Sequence, residues 1–250
     1  MNKKMILSVG MPRAGTGWFH NITQTLVVAA GGIDAGVIRN KYHLSKLLTE
    51  VNCNIGKISF YRILPVLSPL LLEPNYVIKL HAGRKPVADV LISLGLIKPT
   101  FIYRDPRDAA LSIYEYGQEA ITNPTASNAF AGIRTIEEAI DFITPYIDIA
   151  RGWIRSEHTF SVKYETLLSD FDLVLPKLVD YLEINLEIEN PLTLVEHLKP
   201  GLNITSRKFT HFMKGKVGRH QEIFSTKQKE LCYSKFGDFL TEQGYLDQLD

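Results

Sequence analysis

The sequence predicts an α/β fold, a parallel β-sheet flanked by helices in a single domain spanning residues 1–250. Three observations carry this. Short apolar runs alternate with longer stretches of helical periodicity, the pattern of βαβ units. The first apolar run ends in a glycine-rich turn that opens directly into a helix. The chain of 250 residues, 45% hydrophobic and 22% charged, can bury one large core, and it shows no internal repeat or low-complexity linker.

Each element follows from its residues. Met5-Ile6-Leu7-Ser8-Val9 is an apolar run stopped by Gly10, and reads as a buried strand. After the turn Gly10 to Gly17, Trp18, Ile22, Leu26 and Ala29 fall at helical spacing, predicting a helix over Trp18 to Ala30 that Gly31-Gly32 ends. Asn75 to Leu80 is a second strand. Pro86 to Leu94 is a helix with proline in its first turn. Thr100 to Tyr103 is a third strand. Asp105 caps and Pro106 opens an amphipathic helix from about Arg107 to Glu119. Asn123 to Ala131 is polar and reads as a loop. Ile136 to Ile154 is a long helix that Pro145 kinks or divides. Thr159 to Lys163 alternates as a fourth strand, and helices follow at 171–184, 191–199 and 226–243. Ligands of such sheets sit at the carboxyl ends of the strands.

Composition excludes several classes. A formal net charge of +1 gives no global field for nucleic acid, so an anionic ligand needs locally placed cations. Two cysteines, Cys53 and Cys232, make no disulfide framework and suit a reducing cytoplasm. The apolar stretch behind Met1-Asn2-Lys3-Lys4 ends at Val9, too short for a signal peptide. Ile63 to Leu72 is broken by Pro65 and Pro69 and is too short for a transmembrane segment. No His/Cys spacing suggests a metal site.

The loop Gly10-Met11-Pro12-Arg13-Ala14-Gly15-Thr16-Gly17 joins a strand to a helix, which aims backbone N–H groups and the positive end of the helix dipole at an anion. Gly10 and Gly15 match the start of a Walker A loop, but Thr16-Gly17 stands where Lys-Ser/Thr is expected. The cation sits inside the loop, at Arg13. On the loop alone, an anion cradle and a turn that uses glycine only for tightness both fit.

Pro12-Arg13-Ala14-Gly15-Thr16-Gly17-Trp18 resembles the P-K-S-G-T-T-W signature of the sulfotransferase family, whose loop holds the 5′-phosphosulfate of 3′-phosphoadenosine-5′-phosphosulfate. Arg104 to Ser112 resembles that family's R-x-P-x-D-x-x-x-S stretch, and the resemblance implies that Arg104 and Ser112 bind the donor's 3′-phosphate. The guanidinium fork suits phosphate. His211 to His220, within a segment where Arg207 to His220 carries five Lys/Arg and no acid, resembles the late R-K-G-x-x-G-D-W loop, placing Met213, Lys214 and Gly215 at the 3′-phosphate. Val77-Ile78-Lys79-Leu80-His81 resembles a strand ending in K-T-H, which implies His81 as catalytic base and Lys79 as stabiliser of the sulfuryl group. Tyr164, in Val162-Lys163-Tyr164-Glu165-Thr166-Leu167, resembles the tyrosine that contacts the adenine; ordinary core packing is the other reading.

The resemblance implies a P-loop-type sulfotransferase fold and transfer of a sulfuryl group from 3′-phosphoadenosine-5′-phosphosulfate to a hydroxyl or amine of a small acceptor. Arg13, Ala14, Gly15, Thr16, Gly17 and Trp18 would hold the phosphosulfate, with Arg13 and Lys79 stabilising charge and no metal required. Adenosine 3′,5′-bisphosphate is the product. The chain departs from the pattern at four places: Arg13 for lysine, Gly17 for threonine, Met213 for arginine, and Arg219-His220 for Asp-Trp. Arginine keeps the charge but is a poor proton donor, with a pKa above about 12. Two alternatives stay open, a P-loop small-molecule kinase and a non-catalytic nucleotide-binding relative. The apolar segment Phe60 to Leu72 either covers a hydrophobic acceptor or packs in the core. Acceptor identity and oligomeric state are not encoded in these motifs.

Overall fold

A computed structural model describes residues 3–122, 129–185, 190–199 and 216–246. Four strands, β1 (Met5–Gly10), β2 (Tyr76–Leu80), β3 (Ile97–Tyr103) and β4 (Phe160–Lys163), form one parallel sheet in the order β2-β1-β3-β4. Register places Val9 beside Leu80 and Gly10 beside Ile102, so β1, β2 and β3 end together at one edge.

The helices in chain order are α1 (Thr16–Ala29), α2 (Ala35–Lys41), α3 (Phe60–Leu67), α4 (Pro86–Ser93), α5 (Pro106–Thr122), α6 (Ile136–Ile143), α7 (Pro145–Ile154), α8 (Tyr164–Ser169), α9 (Phe171–Leu182), α10 (Pro191–Val195), α11 (His220–Ile223) and α12 (Thr226–Glu242). β1, β2 and β3 are almost entirely buried because both faces are covered, whereas the edge strand β4 alternates and buries only Val162. Met5, Leu7, Val9, Tyr76, Ile78, Leu80, Phe101 and Tyr103 belong to one core layer, with α2 to α7 and α12. Ile6, Val77, Ile102 and Val162 belong to the other, against α1, α8, α9 and α10.

Several boundaries differ from the sequence expectation for identifiable reasons. β3 starts at Ile97, ahead of Thr100, and runs through Pro99. β4 pairs only from Thr100 onward, and the Pro99 carbonyl accepts from Tyr181 Oη at 2.6 Å, so the missing N–H costs no ladder bond. Pro145 does divide the long helix, with α6 ending at Ile143 and Pro145 opening α7. Thr135 and Glu138 close a capping box at the start of α6. α5 begins as expected: Asp105 Oδ1 accepts from the Arg107 N–H at 2.9 Å. α2 and α3 were not expected. Asp34 caps α2, accepting from the Gly36 N–H. α3 continues through Pro65 before a 3₁₀ turn at Ser68–Leu71. Its Ile63, Val66 and Leu67 enter the core, whereas Phe60, Tyr61, Leu71 and Leu72 stay exposed. The loop expected at Asn123 to Ala131 lies mostly outside the described residues. Both cysteines are free and buried.

Candidate functional site

The site is built at the carboxyl edge of the sheet from the loop after β1. Gly10 is dictated by space: a Cβ there would lie 2.1 Å from Thr16 Cγ2 and 2.7 Å from Ile102 Cγ2. Gly15 is dictated by conformation, with φ 77°, and by Tyr164, whose ring would meet a Cβ at 2.6 Å. As N-cap of α1, Gly15 offers no side chain to the N–H groups of the first turn. Those amides and the helix dipole face the loop, a geometry suited to an anion. Arg13 also adopts a left-handed backbone, φ 59°, a strained conformation for a side chain with a Cβ.

Arg13 reaches across to α5. Its Nε donates to Ser112 Oγ at 3.1 Å, and its guanidinium lies 4.3 Å from the Tyr116 ring centroid. Burial lowers its pKa, and Arg104 adds to this as a like charge. Lys79, on β2, is only 9% exposed. Burial, then the charge of Arg13, bring its pKa down to about 8. Among the described residues no carboxylate pairs with Lys79. A buried ammonium without an acid partner is costly, and an anion is its natural complement.

His81 follows β2. Its Nδ1 lies 2.8 Å from the Gly10 carbonyl oxygen, so Nδ1–H donates there and Nε2 carries the lone pair. Burial, then Lys79, lower its pKa to about 4. Trp153, fully buried, donates from Nε1 to the Ala82 carbonyl at 3.0 Å and anchors the chain where it leaves β2. His20, one turn into α1, is 1% exposed and neither ring nitrogen has a hydrogen-bond partner among the described residues. Burial, then Lys79, depress its pKa to about 3 against an opposing pull from the nearby Gln24 side chain.

A second group surrounds the end of β3. Arg104 stacks 4.6 Å from the Tyr164 ring centroid, and its Nη2 donates to Asp108 Oδ2 at 3.2 Å and to the Lys216 carbonyl at 2.7 Å. Asp108 also accepts from the Gly218 N–H at 2.7 Å, the His220 N–H at 3.1 Å and His220 Nδ1 at 2.9 Å. Burial would raise the Asp108 carboxyl, but hydrogen bonds from His220 and the charge of Arg104 outweigh it and hold the pKa at about 2. Arg219 grips Glu115 with both terminal nitrogens. Helix α5 therefore clamps the far end of the late basic segment.

The structure brings Arg13, Lys79 and His81 together, and Arg104 and Ser112 beside them, joined through the Arg13–Ser112 bond. Tyr164 is buried between Gly15, Trp18 and Arg104; its ring packs against the loop, and one face carries the guanidinium. Trp18 stacks on Phe171 with centroids 6.0 Å apart. Met213, Lys214 and Gly215 lie outside the described residues. Sequence reasoning gave no role to His20, and none to Asp108, although Asp108 stands at the aspartate of the R-x-P-x-D-x-x-x-S stretch and four residues from Arg104. Among the described residues, no cluster of three or more His, Cys, Asp or Glu is placed to hold a metal, and no helix is long and apolar enough to cross a membrane.

A family profile described as sulfotransferase domain matches residues 3–231. Comparison with curated protein sequences gives no significant match. Among solved structures, the chain resembles a mouse sulfotransferase complexed with PAP, at 18% identity and TM-score 0.60, over 98% of this chain and 89% of that one. It also resembles retinol dehydratase bound to androsterone and inactive cofactor PAP, at 17% identity and TM-score 0.58, over 94% and 80% of the two chains. The same enzyme bound to retinol and PAP matches at 17% identity and TM-score 0.58, over 96% and 82%. At these identities the likeness shows the fold.

Proposed function

The chain belongs to the sulfotransferase family, and from that premise we propose that it transfers a sulfuryl group from 3′-phosphoadenosine-5′-phosphosulfate to a hydroxyl or amine of a small acceptor. The observation that carries this is the pairing of Lys79, a buried ammonium with no carboxylate partner among the described residues, with His81, whose Nε2 lone pair is left available. The residues fit an anionic donor. The first-turn amides of α1, Arg13 and Lys79 would hold the phosphosulfate, and Arg104 and Ser112 the 3′-phosphate.

The donor supplies the sulfuryl group and a bisphosphate leaving group. His81 Nε2 takes the proton of the acceptor hydroxyl as its oxygen bonds to sulfur, within about 3 Å in the reactive complex. The bond between sulfur and the phosphate oxygen breaks, and that oxygen keeps the electron pair as adenosine 3′,5′-bisphosphate. Lys79 and Arg13 stabilise the charge that develops on the transferring group and the leaving oxygen. Arg13 acts electrostatically, because a guanidinium gives up a proton too reluctantly to serve as acid. Retinol and androsterone, bound in the retinol dehydratase structures, are apolar molecules; a small hydrophobic acceptor is proposed here as well.

Calorimetric titration of the pure protein with adenosine 3′,5′-bisphosphate, with ATP as control, tests the donor site. Micromolar binding that Arg104→Ala removes and ATP does not reproduce supports it. Binding of ATP with magnesium in place of the bisphosphate would sink it and favour a P-loop kinase.

A further inference from the structure

We propose that Asn52 is a further donor-binding residue, its side-chain amide hydrogen-bonding a 5′-phosphosulfate oxygen beside the first turn of α1, where a hydroxyl on residue 17 would otherwise reach. This rests on the donor reading above.

Gly17 leaves the second position of α1 without a side chain. Its backbone does not require glycine, since its φ is not in the left-handed region. A Cβ built there has one neighbour within 4 Å, the Asn52 Nδ2 at 3.9 Å. The amide of Asn52 is thus the polar group that borders the space a side chain at residue 17 would enter. Among the described residues the Asn52 side chain makes no hydrogen bond.

The segment that presents Asn52 is unusual and firmly held. Asn52 and Cys53 both adopt left-handed backbones, with φ 56° and 45°. Such strain persists only where the surroundings enforce it. Here β2 enforces it: the Lys79 N–H donates to the Cys53 carbonyl at 3.4 Å, the Ile55 N–H donates to the Lys79 carbonyl at 3.0 Å, and Asn54 pairs with Lys79 as an isolated parallel bridge. The residues that follow Asn52 are therefore held to the same strand residue whose side chain is the buried ammonium.

Two further buried polar groups lie on the same two elements, α1 and β2. Lys79 is nine-tenths buried with no acid partner among the described residues. His20, three residues after Gly17 on α1, is buried, with no hydrogen bond of normal geometry to either ring nitrogen among the described residues and the Gln24 side chain nearby. An amide N–H donated to a phosphate or sulfate oxygen is a charge-assisted bond, stronger than its neutral counterpart.

The test is calorimetric titration of the full chain with adenosine 3′,5′-bisphosphate. Asn52→Gly removes the amide and keeps the left-handed backbone, so the fold is retained. It is expected to weaken binding about tenfold or more, the scale of a hydrogen bond to a charged group, with an unchanged melting temperature. Asn52→Asp is expected to weaken it further by repulsion. Adding Gly17→Thr to Asn52→Gly places a hydroxyl in the open space and is expected to recover affinity to within about threefold of wild type. Binding by Asn52→Gly within about twofold of wild type, or failure of Gly17→Thr to recover a loss, overturns the assignment. Wild-type protein that does not bind the bisphosphate fails the donor reading itself, which separates the two.

Discussion

His81 Nδ1 donates to the carbonyl oxygen of Gly10 across 2.8 Å, and this one bond fixes both the tautomer and the aim of the ring. The carbonyl belongs to the residue that ends β1 and starts the glycine-rich loop, so the His81 ring and the loop share one anchor. His81→Ala is expected to lower kcat by about a hundredfold or more, the usual contribution of a general base, and to leave bisphosphate affinity nearly unchanged. Steady-state kinetics beside calorimetry check this. A loss carried mainly by bisphosphate affinity would assign His81 to binding.

The same histidine makes a pH prediction. Its pKa is lowered from 6.5 to about 4 by burial and by Lys79, so it stays neutral and able to accept a proton far below neutrality. The acid limb of kcat/KM reports groups of the free enzyme. That limb should fall near pH 4. Lys79→Met removes the second cause, and the limb should move toward 6.5. A wild-type limb already at 6.5 would contradict the environment described for His81.

How much of this was legible beforehand depended on range. β1 and β2 were readable to within a residue because buried parallel strands are apolar runs bounded by turn residues, and β4 because its residues alternate. The start of β3 was not, because Pro99 looks like a break until its neighbours in space are known. The loop was readable as a glycine-rich strand-to-helix turn, and Lys79 and His81 through their resemblance to a strand ending in K-T-H; the structure places all three at one sheet edge. The role of Asp108 was not: three of its four donors come from Gly218 and His220, far downstream, and nothing local encodes that meeting. The position of Asn52 beside Gly17 is likewise set by the register of its turn on β2.

Asp108 should matter to both stability and the late segment. Asp108→Asn keeps the shape but removes the charge that faces Arg104 and His220. Breaking one partner of a buried pair costs roughly 3–5 kcal/mol, so the melting temperature should drop. Hydrogen exchange at the Gly218 and His220 amides should speed up, which a merely global loss of stability would not localise. The carboxyl pKa is depressed to about 2, so its contribution is present above about 4 and is lost as pH falls toward 2. Unaltered exchange at Gly218 and His220 in Asp108→Asn would refute the clamp.

The buried imidazole of His20 predicts a separate loss of stability at mildly acidic pH. The ring is 1% exposed, with neither nitrogen paired among the described residues, and burial and Lys79 lower its pKa to about 3. The unfolded chain titrates near 6.5. Between these values the unfolded state binds the proton and the folded state does not, so stability is complete above about pH 6.5 and declines as pH falls toward 3. At about 1.4 kcal/mol per unit, the loss by pH 4 is on the order of 3 kcal/mol. His81, depressed to about 4, adds a decline over the upper part of the same window. Urea unfolding at pH 7, 6, 5 and 4 measures the sum, and His20→Gln, which cannot protonate, isolates the first contribution. The variant should show a shallower decline between pH 6.5 and 4 than wild type, even if its stability at pH 7 is lower. Parallel curves for the two proteins would mean that His20 accepts a proton in the folded state, and that its buried surroundings tolerate a second cation near Lys79.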